Sequence, residues 1–252
     1  DGRRYYEQCL KILALVEQAS DEARSSGKDP KGIVRLSCTS AFGVLHINRM
    51  LFEFQDRYPH ITVELQLTDQ RINLVEEGVD LAVRLGPLAD SSLILKPLGL
   101  SHRILVASSG YLDRHPAPES PQQLASHECI RMLNIDGGHQ LELRGAEVGI
   151  STVPFDGTFR TDHGLSAREA VLAGRGIDAA HHWLVEDCLR NGQLKILLPM
   201  YTLKAVPMNI LVVPERAKLQ RVRLLLDFLS EQISSHLRNC QGYAHAPVFQ
   251  QE

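Results

Sequence analysis

The sequence predicts an α/β protein with two sheet-containing units behind a long N-terminal helix, and three observations support this prediction. Short apolar strand segments alternate with helical segments over residues 33–85. A similar alternation returns over residues 157–198, after an irregular middle region. Before both, residues 1–24 carry apolar side chains at helical spacing. Alternating strands and helices are typical of parallel sheets with right-handed crossover connections.

The first segment, DGRRYYEQCLKILALVEQASDEA, has one narrow apolar stripe with polar side chains at the outer positions. The stripe consists of Tyr5, Cys9, Ile12, Val16, Ala19 and Ala23. Alternating intervals of four and three residues are typical of the seam between two helices of a coiled coil. We expect a dimerisation surface here; packing on a sheet of the same chain is the alternative. Gly, Pro and Lys in residues 25–32 indicate a linker.

The first alternating region reads as a β-α-β-α-β unit. Thr39 and Ser40 predict the N-cap of its first helix, which Pro59 ends. Gly78 predicts the end of the second, short helix. The predicted elements are a strand at 33–38, a helix at 40–58, a strand at 61–67, a short helix at 72–78 and a strand at 80–85.

The remaining chain starts irregularly, with extended runs around Gly99 and short helices interrupted by proline. Three strands with hairpin-like spacing follow, with Gly137 and Gly138 as one turn. No periodicity continues beyond residue 240, which predicts a frayed tail. The predicted elements are strands near 129–133, 140–143 and 147–152, a strand at 157–161, a helix at 164–173, a strand at 176–180, a helix at 181–191, strands at 193–198 and 208–213, and a helix at 215–238.

Composition argues against several classes of protein. A net charge of −3 does not favour nucleic-acid binding through a basic face. No apolar run approaches the roughly 20 residues that span a bilayer, and no signal peptide is visible. The five cysteines are scattered without a C-x-x-C pair, which is typical of reduced thiols in a cytoplasmic protein. We therefore expect a cytoplasmic protein without membrane contact.

Motifs for enzymes, cofactors and metals are weak. The segment GRGIDA at 174–179 matches a dinucleotide fingerprint but follows a helix and opens a strand, so Gly174 is better interpreted as a helix C-cap. The histidines and cysteines include no H-x-x-x-H or C-x-x-C pair, so we expect no metal ligands. No nucleophile elbow, Walker A loop or H-E-x-x-H motif occurs, so we predict neither an enzyme nor a bound cofactor.

Polar residues gather where the predicted strands end. Ligands of open parallel sheets bind beyond the carboxyl ends of the strands, beside helix N-termini. Two such edges would together suit a small ligand, including an anion. For each residue alone, a helix cap or a surface ion pair is the alternative. The candidate binding residues are Thr39, Ser40, Ala41, Thr68, Asp69 and Arg84 in the first unit, and Thr161, His163, His181 and His182 in the second.

Several segments, in order along nearly the whole chain, resemble the LysR-type transcriptional regulators. They are DGRRYYEQCLKIL (1–13), GIVRLS (32–37), FQDRYPHITVEL (54–65), EEGVDLAVRLG (76–86), LAGRGI (172–177), LRNGQLKILLP (189–199) and RVRLLLDFL (221–229). The resemblance implies a linker helix and an effector-binding region of two Rossmann-like subdomains with periplasmic-binding-protein type II architecture. The implied divisions are a linker at 1–31, subdomain I at 32–102 and 211–239, subdomain II at 103–210, and a tail at 240–252.

The same resemblance implies a function. The chain would sense a small metabolite in the cleft between the subdomains and assemble as a homodimer or homotetramer. Promoter DNA would be contacted only through a winged helix-turn-helix that precedes residues 1–24 in such proteins. His181 and His182 stand where similar proteins commonly carry an apolar pair, so we expect at least one of them to contact the ligand. A periplasmic-type solute-binding protein with no role in transcription is the alternative.

Overall fold

The computed structural model describes residues 30–87, 93–133, 139–146 and 149–240, together with isolated helical residues near the N-terminus. Those residues are Gly2, Tyr5, Gln8, Cys9, Ile12, Leu15 and Val16. The predicted turn at 137–138 and the tail at 241–252 lie outside the described residues. The chain divides into two compact units. Unit 1 comprises Asp1–Gly99 and Pro207–Ser235, and unit 2 comprises Leu100–Val206 and His236–Glu252.

Strands provide most of the regular structure in the described ranges. The strands are β1 (Gly32–Cys38), β2 (Ile61–Leu67), β3 (Leu81–Leu85), β4 (Ile94–Ser101), β5 (Arg103–Ser108), β6 (Cys129–Met132), β7 (Gln140–Gly145), β8 (Gly149–Pro154), β9 (Arg160–Thr161), β10 (Ile177–His181), β11 (Leu194–Leu197), β12 (Tyr201–Leu203) and β13 (Val206–Val212). The α-helices are α1 (Ser40–Phe42), α2 (Asn48–Arg57), α3 (Ser109–Leu112), α4 (Gly164–Leu172), α5 (His182–Arg190) and α6 (Gln220–Cys240). A π-helical turn, Gly43–Ile47, joins α1 to α2, and 3-10 helices occupy Pro121–Ser126 and Arg216–Lys218.

The sheet of unit 1 has the strand order β2-β1-β3-β13-β4. Strand β1 pairs in parallel with both β2 and β3, as the alternating pattern predicts, whereas β13 runs antiparallel to β3. Leu36 lies opposite Leu65 on one side and Leu81 on the other. Helix α2 covers this sheet with its apolar face, where Leu51 and Phe54 are buried. The carboxyl ends of β1, β2 and β3 therefore lie at one edge.

The predicted short helix at 72–78 is wrong, because these residues form a turn. The amide of Glu77 donates a hydrogen bond to the Asn73 carbonyl, and the amide of Val79 donates one to the Leu74 carbonyl. Gly78 supplies the required positive φ of 66°. The segment buries Leu74 and Val79 in a small apolar cluster, so tertiary packing replaces the helix that its periodicity indicates.

Unit 2 contains a five-stranded sheet of order β11-β5-β10-β6-β9 and a three-stranded sheet of order β12-β7-β8. Strands β10, β6 and β9 are parallel, while β5 runs antiparallel to β10 and β11. The hairpin of β7 and β8 agrees with the predicted spacing, with Gly145 opposite Gly149. The expectation that β6 belongs to this hairpin series is wrong, because β6 lies inside the five-stranded sheet.

Two local predictions about helices are confirmed. Gly174 has φ +70° directly after α4, the left-handed conformation of a helix C-cap. Helix α6 buries the predicted stripe, including Val222, Leu229 and Ile233, and continues to Cys240. Among the helices of the described residues, none is both long and apolar enough to cross a membrane.

Candidate functional site

The first group of candidate residues meets at the carboxyl edge of the unit 1 sheet. The backbone amide of Thr68, after β2, donates to the carbonyl of Cys38 at the end of β1, at 2.9 Å. The amide of Ser40 donates to Asp69 Oδ1 at 3.0 Å. The start of α1 is therefore capped by a carboxylate from the end of the neighbouring strand. Ala41 follows in the core, where it is buried.

Thr39 occupies the predicted N-cap position but does not act as a side-chain cap. Its backbone is extended, with φ −59° and ψ 137°, and its side chain makes no capping hydrogen bond. The Thr39 hydroxyl oxygen is buried, and the partner recorded for it is the thiol of Cys38, which is a weak hydrogen-bonding group. A buried hydroxyl without a strong partner costs about 1–3 kcal/mol of stability, so its retention calls for an explanation.

Arg84 lies in the same part of unit 1, and its alternative interpretation as a surface ion pair is wrong. The residue is only 8% exposed. Its Nη2 donates to Ser37 Oγ at 2.7 Å, and its Nη1 donates to the Val83 carbonyl at 3.1 Å. Burial lowers the pKa of the guanidinium, an effect that Cys38 and Asp69 oppose. Because an arginine stays protonated in proteins, this edge of the sheet contains a buried positive charge.

The second group lies at the edge of unit 2 formed by the carboxyl ends of β6, β9 and β10. The strand order places β6 between β9 and β10. Thr161 and His181 therefore do not end adjacent strands, as the sequence suggested, but strands about 10 Å apart. Thr161 Oγ1 accepts a hydrogen bond from the amide of His163, so this threonine fixes the start of α4. His163 takes the N-cap position of that helix without a side-chain capping bond.

His181 belongs to a polar network within unit 2. Ser101 Oγ lies 2.7 Å from His181 Nδ1 and accepts a hydrogen bond from Trp183 Nε1 at 2.8 Å. The His181 and Trp183 rings stack with centroids 5.4 Å apart. A hydroxyl has one proton and two lone pairs, so Ser101 can accept from the indole and bond to Nδ1 in either tautomer of His181. Burial, together with the nearby Arg103, lowers the pKa of His181 to about 3. The side chain is neutral at physiological pH, so it offers one N–H donor and no positive charge.

His182, by contrast, is an interior residue of unit 2. It is 4% exposed, and its amide donates to the His102 carbonyl at 2.9 Å. Burial lowers the pKa of its ring, and the neighbouring Glu186 opposes that effect. The two adjacent histidines therefore have different environments, as expected for a strand end that leads into a helix.

Two features of unit 2 were not predicted from the sequence. Asp178 is 2% exposed on β10, and burial raises the pKa of its carboxyl to about 7, against the effect of Arg103. A single acidic residue in the apolar segment GIDAA was the available signal. A cavity of about 420 Å³ also lies in unit 2, lined by Ser108, Arg114 and Gly174 among others. It lies at the carboxyl end of β5, which is the opposite edge of the sheet from His181.

The proposed dimerisation residues are helical in the structure and largely exposed in the single chain. Tyr5 is 74% exposed, Ile12 61% and Val16 57%, whereas Cys9 is partly buried. Leu15, which the seam did not include, is 59% exposed. All five cysteines are free thiols in the structure, and four of them are buried.

Comparison with known proteins gives this geometry its context. A family model described as the LysR substrate binding domain matches residues 27–234. The chain is 32% identical over 243 residues to the HTH-type transcriptional regulator CrgA of Neisseria meningitidis serogroup B, covering 94% of this chain and 79% of CrgA. It is 30% identical over 204 residues to the HTH-type transcriptional activator TtdR of Escherichia coli K12, covering 81% of this chain and 66% of TtdR. The chain thus spans slightly less than two thirds of TtdR.

Solved structures agree with the sequence comparisons. The regulatory domain of CrgA superimposes with a TM-score of 0.73 at 30% identity, covering 81% of this chain and 100% of that domain. A second, longer structure of CrgA gives a TM-score of 0.74 at 28% identity, and the match covers 92% of this chain and 79% of that chain. The predicted fold class, two subdomains of periplasmic-binding-protein type II architecture, is confirmed. These relatives favour a regulator over a solute-binding protein, and the chain belongs to the LysR family of transcriptional regulators, of which it carries the substrate-binding domain.

Proposed function

We propose that the carboxyl edge of the unit 1 sheet binds the carboxylate group of a small metabolite, the effector of this regulator. The observation that carries the proposal is that this edge holds a buried cation, Arg84, and a buried hydroxyl, that of Thr39, whose recorded partner is the weakly bonding thiol of Cys38. Planar guanidinium groups bind carboxylates through paired, charge-assisted hydrogen bonds. A carboxylate placed here would also accept a hydrogen bond from Thr39.

Asp69 narrows the class of effector. Its carboxylate caps the Ser40 amide at the same edge, and a bare anion would be repelled by this negative charge. A ligand that carries a hydroxyl or amino group beside its carboxylate avoids the repulsion, because that group can donate to Asp69. We therefore propose a small hydroxy- or amino-carboxylate as the effector.

Fewer observations support a role for unit 2 in binding the effector. Ser101 is bonded to Nδ1 of His181, which leaves Nε2 of the neutral ring for contact with a ligand. Thr161 and His163 remain predicted contacts. The interior position of His182 supports a structural role for this residue. Because His181 stays neutral, we expect effector affinity to be independent of histidine protonation, unlike a site that recognises an anion with imidazolium.

Calorimetric titration with acetate, lactate, succinate, glutamate and benzoate tests the proposal. We expect binding only by acids of the hydroxy or amino type, and loss of about 1.5–3 kcal/mol of affinity in Thr39→Val, the cost of one hydrogen bond to a charged group. Thr62→Val, on the exposed face of β2, is the matched control and should bind like the wild type. Equal binding by Thr39→Val and Thr62→Val would show that the Thr39 hydroxyl does not contact the ligand.

We propose further that this chain binds the effector. DNA would be contacted by a region that corresponds to the part of CrgA and TtdR that this chain does not match. The net charge of −3 supports a role that is not DNA binding by this chain itself. Assembly into a homodimer or homotetramer through Tyr5, Cys9, Ile12 and Val16 is supported by the exposure of this apolar stripe. Relatives that are regulators support a protein without catalytic activity, and free thiols support a cytoplasmic location.

A further inference from the structure

Two helical segments of unit 2 carry metal-binding side chains in pairs. Helix α5 carries His182 and Glu186, and the C-terminal end of α6, from His236 onward, carries His236 and Cys240. Each pair is spaced by four residues, which places both members on one face of their helix. Mixed pairs of this kind match neither H-x-x-x-H nor C-x-x-C, the two spacings on which the expectation of no metal ligands rested.

The two pairs converge within unit 2. Cys240 Sγ lies 3.9 Å from Glu186 Oε2 and 3.9 Å from His236 Nε2. The donor atoms of His182, Glu186 and Cys240 all lie within 4.8 Å of one another. In a tetrahedral zinc site with bonds of about 2.0–2.3 Å, ligand atoms are roughly 3.3–3.8 Å apart. Side-chain rotations that move the donor atoms of His182, Glu186 and Cys240 by about 1 Å would therefore give three of the four ligands. His236 Nε2, which lies 3.9 Å from Cys240 Sγ, is the candidate for the fourth.

The chemistry of the donors selects the class of metal. The cluster offers two imidazole nitrogens, one carboxylate oxygen and one thiol sulfur, with His182 4% and Cys240 5% exposed. Hard ions such as Mg²⁺ and Ca²⁺ prefer a shell of oxygen atoms. Thiolate and imidazole ligands in fourfold coordination are typical of Zn²⁺.

We propose that these four side chains bind one divalent transition-metal ion of the Zn²⁺ class. As the metal–sulfur bond forms, the thiol proton of Cys240 is released to solvent. The ion would fasten the end of α6 to the start of α5, directly after His181. This site is separate from the carboxylate site of unit 1, so either proposal can fail without the other.

The test uses the 252-residue chain, stripped with a chelator and titrated with Co²⁺ and Zn²⁺. We expect one ion per chain, thiolate-to-Co²⁺ charge-transfer absorption, and the visible bands of four-coordinate Co²⁺. Zn²⁺ should displace Co²⁺ and raise the melting temperature. Cys240→Ala should abolish the charge-transfer band and weaken Zn²⁺ binding at least tenfold.

Cys188→Ala is the matched control, because Cys188 is a buried cysteine on α5 that lies outside the cluster, beside Asp187. It should retain the band and the affinity. Glu186→Gln is a second test if Cys240→Ala fails to fold, and it should also weaken Zn²⁺ binding tenfold or more. Absence of the band in the wild-type chain, its loss in Cys188→Ala, or its survival in Cys240→Ala would overturn the proposal.

Discussion

At the scale of single residues, the buried hydroxyls of Ser37 and Thr39 allow a contrast within one short segment. Ser37 Oγ accepts a hydrogen bond from Arg84, whereas the partner recorded for the Thr39 hydroxyl is only the weakly bonding thiol of Cys38. We expect Ser37→Ala to lower the free energy of unfolding by about 1.5–3 kcal/mol, because it leaves a guanidinium N–H unpaired. Thr39→Val should leave that free energy unchanged or raise it. Urea unfolding of the ligand-free chain measures both, and equal destabilisation would show that Thr39 has a structural partner.

Asp178 and His181, on the same strand, have opposite effects on the pH dependence of stability. The pKa of Asp178 rises on folding from 3.8 to about 7, so the native state keeps a proton that the unfolded chain loses, and the free energy of unfolding falls as pH rises through this window. The pKa of His181 falls from 6.5 to about 3, so the unfolded chain binds the extra proton, and the free energy of unfolding rises with pH. Between about pH 4 and 6.5 the two effects oppose each other.

Single substitutions should expose each slope. Asp178→Asn removes the titrating carboxyl. The free energy of unfolding of this variant, relative to that of the wild type, should therefore increase as the pH rises from about 4.5 to 6.5. His181→Gln should show the reverse trend. Each change in slope approaches 1.4 kcal/mol per pH unit, the value for one proton. Urea unfolding at three pH values measures it, with the exposed His60→Gln as control. Slopes identical to the wild type in both variants would contradict the assignment.

At the scale of elements, the start of α1 depends on a side chain from the end of β2. Removing the carboxylate in Asp69→Ala should cost about 0.5–2 kcal/mol of stability, the usual value of an N-cap bond. Asp69→Asn keeps an oxygen acceptor for the Ser40 amide and should cost less than Asp69→Ala. Thermal unfolding compares the two, and equal losses would mean that the charge, not the cap, stabilises this edge.

The N-terminal helix is the second element with a testable role. Replacing Ile12 and Val16 by Glu places two charges on its exposed apolar stripe. If that stripe joins two subunits, light scattering should show a smaller assembly for the double variant at the same micromolar concentration. Gln8→Glu, at an outer position, is the control. An unchanged mass would exclude this stripe from the interface.

At the scale of the whole molecule, the chain is expected to respond to a metabolite but not to bind DNA by itself. Its net charge of −3 does not favour binding to a phosphate backbone. A gel shift with promoter fragments should show no sequence-dependent binding by residues 1–252 at micromolar concentration. Tight, sequence-dependent binding would contradict the proposal that this chain binds the effector but not DNA.

Much of the architecture could be predicted from local pattern. Apolar periodicity identified strands β1, β2 and β3 and the long helix α6, because each element must bury one face against a core. The positive φ of Gly174 followed from its position after a helix. Ordered family segments predicted the fold class, since many weak matches in sequence order are more specific than one motif. The divisions at 102/103 and 210/211 remain predictions.

Only the tertiary structure decided which distant residues meet. Local periodicity carries no information about strand order, so the position of β6 between β9 and β10 could not be read from the chain. For the same reason the burial of His182 and the capping of α1 by Asp69 were not foreseen. The donor cluster of α5 and α6 joins residues about fifty positions apart in the sequence, and only packing brings them together. The sequence by itself determined the elements and the family, because those depend on local pattern, whereas the sites depend on contacts between elements.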